Sequence, residues 1–302
     1  MKNKLITSVL LLVLCLGIAG CKPDSGAAGE TPPAASQSQE EQAAEHRIVS
    51  TTVAITEIMD KLELDLVGVP TTSKTISDRY QDAAQIGDVH NLDLETIVSL
   101  KPTEILAVST VEYEMKPVFE SAGIQANFLN LNNLELMLQT IETLGDTYDR
   151  REQAESVVAQ IRQKVEEMQT AVAGKEQPKV LILLGIPGSY LVATEHSYIG
   201  DLVKTLGGVN VAEGATVEYV AFNTEALQQA NPDVILRAAH GMPEEVVKMF
   251  NEEFKTNDIW KHFNAVKNDR VYDLEEAIFG TTGSLAAVQA LEELYDMMYP
   301  QQ

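Results

Sequence analysis

The chain has 302 residues, more than one compact core usually needs, so two domains are expected. Its formal net charge is -23, with 22% charged and 45% hydrophobic residues. That is a globular composition whose field repels nucleic-acid phosphates and anionic lipid surfaces, which excludes a nucleic-acid-binding role. The two cysteines are Cys15 and Cys21, so neither a disulfide framework nor a cysteine-ligated metal site is available to the folded part.

Lys2 and Lys4 precede the apolar run Leu5–Ala19. The run is shorter than the ~20 residues of a comfortable membrane span. With the small pair Ala19-Gly20 it reads as a signal peptide over residues 1–20. Ile18-Ala19-Gly20-Cys21 has the form of a bacterial lipobox, which predicts Cys21 as a diacylated mature N-terminus. An ordinary cleaved signal with an incidental cysteine is the alternative. Residues 22–45 contain no Val, Ile, Leu or aromatic side chain and cannot offset their own ordering entropy. Residues 21–45 therefore read as a lipidated flexible tether with a reach of about 25–30 Å. The protein is expected on the extracytoplasmic face of the cell membrane, held by lipid.

Residues 46–148 read as a first α/β lobe. Arg47–Ser50 is a strand, and Thr51 or Thr52 caps a helix reaching Leu62. A helix N-terminus after a strand makes Thr51, Thr52 and Val53 an anion-binding candidate. Leu66–Val69 is the next strand, and Thr71–Tyr80 is a polar loop carrying Lys74 and Arg79. Ile86-Gly87-Asp88-Val89-His90 leads into a helix at Leu92–Leu100. A strand at Glu104–Val108, a helix at Met115–Ala122 and a strand at Ala126–Leu129 continue the alternation, which argues a parallel sheet.

Leu134–Leu144 is helical and is expected to stop at Gly145. Residues 149–174 form a long polar linker helix of about 25 residues and about 37 Å. Residues 175–302 then begin a second α/β lobe with the strand Lys179–Leu184. Gly185-Ile186-Pro187-Gly188-Ser189 follows as a glycine loop, but no nucleotide-binding fingerprint and no G-x-S-x-G elbow is present. Tyr198–Leu206 is a helix closed by Gly207-Gly208.

One αβ unit is echoed in each lobe. Glu95 stands two places after Asp93 and seven before Pro102; Glu225 stands two after Asn223 and seven before Pro232. Both acids suit the first turn of a helix, and equally a matched pair of carboxylates for a two-fold partner. After Pro232 the apolar run Val234–Ala239 is a buried strand, and His240 falls at its carboxyl end, where open α/β sheets bind ligands. A polar loop histidine is the plainer alternative. Pro243-Glu244-Glu245 opens the next helix.

Lipobox, tether, two Rossmann-like lobes with parallel-rich central sheets, and one long joining helix together resemble the lipoprotein substrate-binding proteins of ABC importers. They resemble in particular class III, which has a helical backbone. Pro187–Thr194, Ser197–Lys204, His240–Glu245 and Asn257–Phe263 look like the haem receptors of the Gram-positive iron-regulated surface determinant system. The resemblance implies a b-type haem as transported ligand, a cognate ABC permease and cell-surface haem donors as partners, and no enzymatic activity. It implies iron ligation by His240 from the second lobe. The first-lobe ligand of the family is a Met, and His90 stands at that position here. It implies permease docking by Glu95 and Glu225. Backbone N–H groups at the first helix N-terminus make Thr51, Thr52 and Val53 candidates to bind a propionate, and Ser189 and Tyr190 are expected to border the site, with core packing an equal reading for Tyr190. A ferric-siderophore or cobalamin receptor of the same fold is the nearest alternative. A zinc or manganese receptor needs converging His and carboxylates, which His46, His196 and His262 do not suggest. A two-lobed enzyme is disfavoured by the missing motifs.

Overall fold

The computed structural model describes residues 46–300, apart from residues 213, 222 and 223 and the side chains of residues 224–226. The expected signal peptide, Cys21 and the tether lie outside the described residues.

Strand β1 (Ile48–Ser50) is wholly buried and leads into helix α1 (Val53–Lys61). Then come β2 (Leu66–Val69), β3 (Ala84–Gln85) and the hairpin strands β4 (Gly87–Asp88) and β5 (Asn91–Leu92). Helix α2 (Leu94–Ser99), β6 (Glu104–Val108), α3 (Glu112–Ser121) and β7 (Asn127–Leu129) complete the first sheet. Its order is β3-β2-β1-β6-β7, and every pairing is parallel. Helices must carry the chain back between parallel strands, which is why the α/β alternation was visible in the residues.

Helix α4 (Leu134–Thr147) and helix α5 (Arg151–Val172) lead to the second sheet. That half contains β8 (Lys179–Ile186), β9 (Ser189–Ala193), α6 (Tyr198–Thr205), β10 (Val209–Asn210), β11 (Tyr219–Val220) and α7 (Thr224–Ala230). It closes with β12 (Val234–Ala239), α8 (Pro243–Thr256), α9 (Asn264–Lys267), β13 (Val271–Leu274) and α10 (Ala287–Met298). The order is β11-β9-β8-β12-β13, with β10 also on β8. Here β8, β10, β12 and β13 run parallel, while β9 pairs antiparallel with both β8 and β11. Side chains alternate across this sheet: Ile182, Leu184 and Leu236 enter one core, and Leu181, Leu183 and Ile235 enter the other.

Three expectations shift. The helix expected to stop at Gly145 runs through it to Thr147. A Cβ at Gly145 would sit 2.5 Å from that of Ala154, so this glycine serves the close approach of α5, not a helix end. The expected glycine loop at Gly185–Ser189 is mostly strand. Gly185 pairs with Tyr190, and only Pro187-Gly188 turns, with φ +81° at Gly188. Gly185 lies too close to Val246 and Phe250 for any larger residue. The helix expected from Leu92 starts at Leu94, because Asn91 and Leu92 pair back onto Asp88 and Gly87.

Helix α5 packs Ala154, Val158 and Ile161 into the first core, while Met168 packs against the second and Val165 against both. Segment 131–134 adds three cross-connections. Leu131 O accepts from Gly283 N at 2.6 Å, Asn132 Nδ2 donates to Glu218 Oε1 at 2.7 Å, and Leu134 N donates to Asp201 Oδ2 at 2.9 Å. Burial pushes the Asp201 and Glu218 carboxyls above the usual range, outweighing those hydrogen bonds and the nearby Lys204 and His196 charges respectively.

Candidate functional site

The site grows from the junction of β1 and α1. Thr51 is buried and pinned to Leu106 O, by its N–H at 3.0 Å and its hydroxyl at 3.1 Å. Thr52 caps the helix, its Oγ1 accepting from Ile55 N at 3.4 Å. Thr56 donates to Thr52 O at 2.9 Å, which fixes the first turn from inside. The N–H groups of Val53 and Ala54 are left without intrahelical acceptors and with the positive end of the helix dipole behind them.

The loop after β2 faces this junction. Pro70, Thr71, Thr72 and Lys74 line a hollow with Thr51–Ala54 and Glu57. Burial pushes the Glu57 carboxyl up, and the Lys74 charge partly offsets this. Arg79, the other cation of that loop, is held by Asp60 at 3.3 Å and Asp65 at 3.1 Å.

The β4–β5 hairpin forms the next part of the wall, with Asp88 and Val89 on the hollow. Gly87 has φ +85°, and a Cβ there would meet Asn91 O at 2.3 Å, so only glycine lets this two-residue hairpin close. The hairpin is tied to Thr71 through Thr71 N to Gly87 O at 2.9 Å and Gly87 N to Thr71 Oγ1 at 3.1 Å. His90 is at its tip, with its N–H on Asp88 Oδ1 at 3.0 Å. Its side chain is 57% exposed, and Nδ1 lies 3.7 Å from Glu114 Oε2 on α3.

The opposite wall comes from the second sheet. His240 follows β12, and its N–H continues the ladder to Gly185 O at 2.9 Å. Gly241 at φ +70° and Met242 at φ +48° then turn the chain into α8. The Gly241 N–H donates to Glu276 Oε1 at 3.1 Å. Left-handed backbone at an exposed Met is strained, and such strain gathers at binding sites. His240 and Glu276 line the same hollow as α1, with Ala277, Gly280 and Thr281–Thr282 beside them.

The hollow has a volume of about 270 Å³. Larger hollows beside Phe119–Phe128 and beside Lys61 and Leu285 lack an imidazole. One wall therefore offers helix N–H donors and an ammonium, suited to carboxylates, and the other offers an imidazole suited to a metal centre. Among the described residues, no three His, Cys, Asp or Glu side chains gather as a metal-ion site.

The structure brings Thr51, Thr52, Val53 and His240 together on this hollow; His90 lies one residue beyond the lining Val89. Ser189 and Tyr190 are not on it. Tyr190 Oη donates to Glu253 at 3.1 Å, and its ring packs on Phe250 and Trp260. Glu95 is exposed in the first turn of α2, behind Asp93, whose Oδ1 caps Thr96 N at 3.0 Å. Glu225 lies in the first turn of α7. His46 binds Glu104 at 3.0 Å, and His196 meets Ala215 O at 2.8 Å. His262 ends a short 3-10 turn at Asp258–His262. Sequence reasoning missed Glu276; its place just past β13, the strand beside β12, was the available signal.

A family model for periplasmic binding proteins matches residues 48–278. The chain is 50% identical over 268 residues to the high-affinity heme uptake system protein IsdE of Staphylococcus aureus (strain bovine RF122 / ET3-1). That match covers 87% of this chain and 91% of the relative. A crystal structure of S. aureus IsdE complexed with heme is similar at TM-score 0.81 and 49% identity, covering 84% of this chain and 99% of that one. An ABC transporter substrate-binding protein from Listeria monocytogenes EGD-e is similar at TM-score 0.81 and 55% identity, covering 85% and 100%. A periplasmic heme-binding protein HutB of Vibrio cholerae, at 20% identity and TM-score 0.68, shares the fold. With a parallel first sheet, a mixed second sheet and a helix packed on both, this chain belongs to the periplasmic binding protein family.

Proposed function

We propose that the protein is an extracytoplasmic haem receptor that delivers haem to an ABC permease for iron acquisition, without transforming it. The observation that carries this reading is His240 on the same hollow as the α1 N-terminus and Lys74. Haem has a metal centre and two carboxylates, and the two walls offer a ligand for each. The 49–50% identity to IsdE sequences and to a haem complex supports the same ligand. No observation favours a siderophore or cobalamin over haem.

In this reading residues 46–148 and 175–302 are the two lobes, and residues 149–174 join them. His240 binds iron from the second lobe and His90, at the hairpin tip next to the lining Val89, from the first. A propionate sits at the first-turn N–H groups of Val53 and Ala54, beside Thr51, Thr52 and Lys74. Ser189 and Tyr190 lie off this hollow, and Tyr190 serves the packing of the second half. Glu95 and Glu225 dock the permease, and Cys21 carries the lipid that holds the protein to the membrane.

The test is titration of the purified protein with ferric haem, read by visible absorption and electron paramagnetic resonance. A low-spin bis-imidazole signal is expected. It should vanish in His90→Ala with haem retained, and binding itself should suffer most in His240→Ala. Unchanged free-haem absorption on mixing with the wild-type protein refutes haem binding.

A further inference from the structure

We propose that Glu114 is a positioning residue for the iron: its carboxylate accepts the Nδ1–H of His90, which presents Nε2 to haem as a strengthened ligand. This rests on His90 being an iron ligand. The separation from Nδ1 to Glu114 Oε2 is 3.7 Å, longer than a hydrogen bond. Closing it takes less than ~1 Å, within reach of one rotamer change in two exposed side chains.

Several features make the pairing specific. The His90 backbone is held by Asp88 Oδ1 at 3.0 Å, so the ring swings from a fixed point. Gly87 and the ties to Thr71 fix the hairpin itself. Glu114 stands in the first turn of α3 and approaches the ring from a different element. Lys116 on that helix pairs with Glu112 at 3.1 Å, while the contact of Glu114 is to His90.

An imidazole binds a metal through one nitrogen, and the hydrogen bond at the other nitrogen decides which. A carboxylate at Nδ1 fixes the tautomer with Nε2 bare. It also draws the Nδ1 proton toward itself and raises electron donation at Nε2. That favours ferric over ferrous iron, because the ferric centre gains more from a strong donor. The receptor would therefore hold ferric haem more tightly and release it more easily once reduced.

The experiment uses the full protein with haem and compares wild type, Glu114→Gln, Glu114→Ala, His90→Ala and the double variant His90→Ala/Glu114→Ala. The readouts are the ferric-haem dissociation constant, the midpoint potential and the low-spin resonance positions. Glu114→Ala should weaken ferric haem by about 10-fold and shift the potential upward. Glu114→Gln, which keeps an acceptor oxygen without the charge, should fall between. Adding Glu114→Ala to His90→Ala should change nothing further. Equal effects of Glu114→Ala with and without His90, or none in either, overturn the proposal while His90 stands as ligand. A low-spin signal that survives His90→Ala removes both His90 as ligand and Glu114 as its partner.

Discussion

Gly87→Ala tests whether the β4–β5 hairpin is what presents His90. At φ +85° an alanine carries a left-handed penalty of about 1–2 kcal/mol. Its Cβ would also lie 2.3 Å from Asn91 O, a backbone atom that no side-chain rotation can move. Relief requires the Gly87–Leu92 and Asp88–Asn91 pairing to part, at about 0.5–1.5 kcal/mol for each lost hydrogen bond. With one bond lost at each pairing, the total is about 2–5 kcal/mol, concentrated in four residues that support His90. The matching control is Gly188→Ala. It has the same kind of backbone, φ +81°, but open space where the Cβ would be, so only the ~1–2 kcal/mol of backbone strain applies. Thermal unfolding and ferric-haem spectra are recorded for both variants. Both should melt lower, by about 2–4 °C per kcal/mol in a chain of this size. Only Gly87→Ala should lose the low-spin bis-imidazole signature while still binding haem through His240. A Gly87→Ala protein with the wild-type spectrum and affinity would show that the hairpin does not position a ligand.

Lys74→Met should weaken haem binding by roughly 10-fold, the loss of one charge-assisted contact. Titrating the wild type with a haem dimethyl ester, which lacks the propionate charges, should show a similar loss, and Lys74→Met should then add little. Asp201→Asn keeps an acceptor for Leu134 N but removes the buried charge. The wild-type carboxyl has a raised pKa, so the stability it contributes is present at low pH and is lost as pH rises through that value. The melting temperature of Asp201→Asn relative to wild type should therefore be higher at pH 7 than at pH 4; a flat or shrinking difference contradicts this. Glu95→Ala with Glu225→Ala should impair cellular haem uptake while leaving haem titrations of the purified protein unchanged, and normal uptake by the double variant would remove the docking role. Cys21→Ala should shift the protein from the membrane fraction to the medium with its haem affinity intact; continued tight attachment would exclude lipidation there.

The strand plan was legible because buried parallel strands read as short apolar runs. Glu104–Val108 and Leu66–Val69 fall where the residues place them. Glycine was harder to read, because it serves two purposes that look alike in a sequence. Gly188 turns the chain at positive φ, whereas Gly145 and Gly185 sit in regular elements to let a neighbour approach. Read from spacing alone, Gly145 marks a helix end and Gly185 a loop, yet both lie inside regular elements. His240 could be singled out from its place after an apolar strand. His90 could not, since a two-residue hairpin tip has no periodicity; only the family resemblance pointed to it. Its neighbour Glu114 is separated by β6 and α2, and nothing in local spacing joins them. The Glu276 contact to Gly241 likewise depends on β12 and β13 being adjacent, which is a property of the sheet order.

Helix α5 has a thermodynamic consequence beyond its length. Its 22 residues feed one continuous apolar stripe into both cores, and Val165 is shared between them. Helix α10 does the same at its start, with Ala287 in the first core and Ala290 and Leu291 in the second. Neither half can melt without stripping apolar surface from a helix that the other half still holds. The two sheets should then unfold as one cooperative unit, with a single calorimetric peak whose van't Hoff and calorimetric enthalpies agree. Either half expressed alone would carry a sticky, unpaired helix face and aggregate. Neither half can then be exchanged independently of the other without losing the shared packing of α5 and α10.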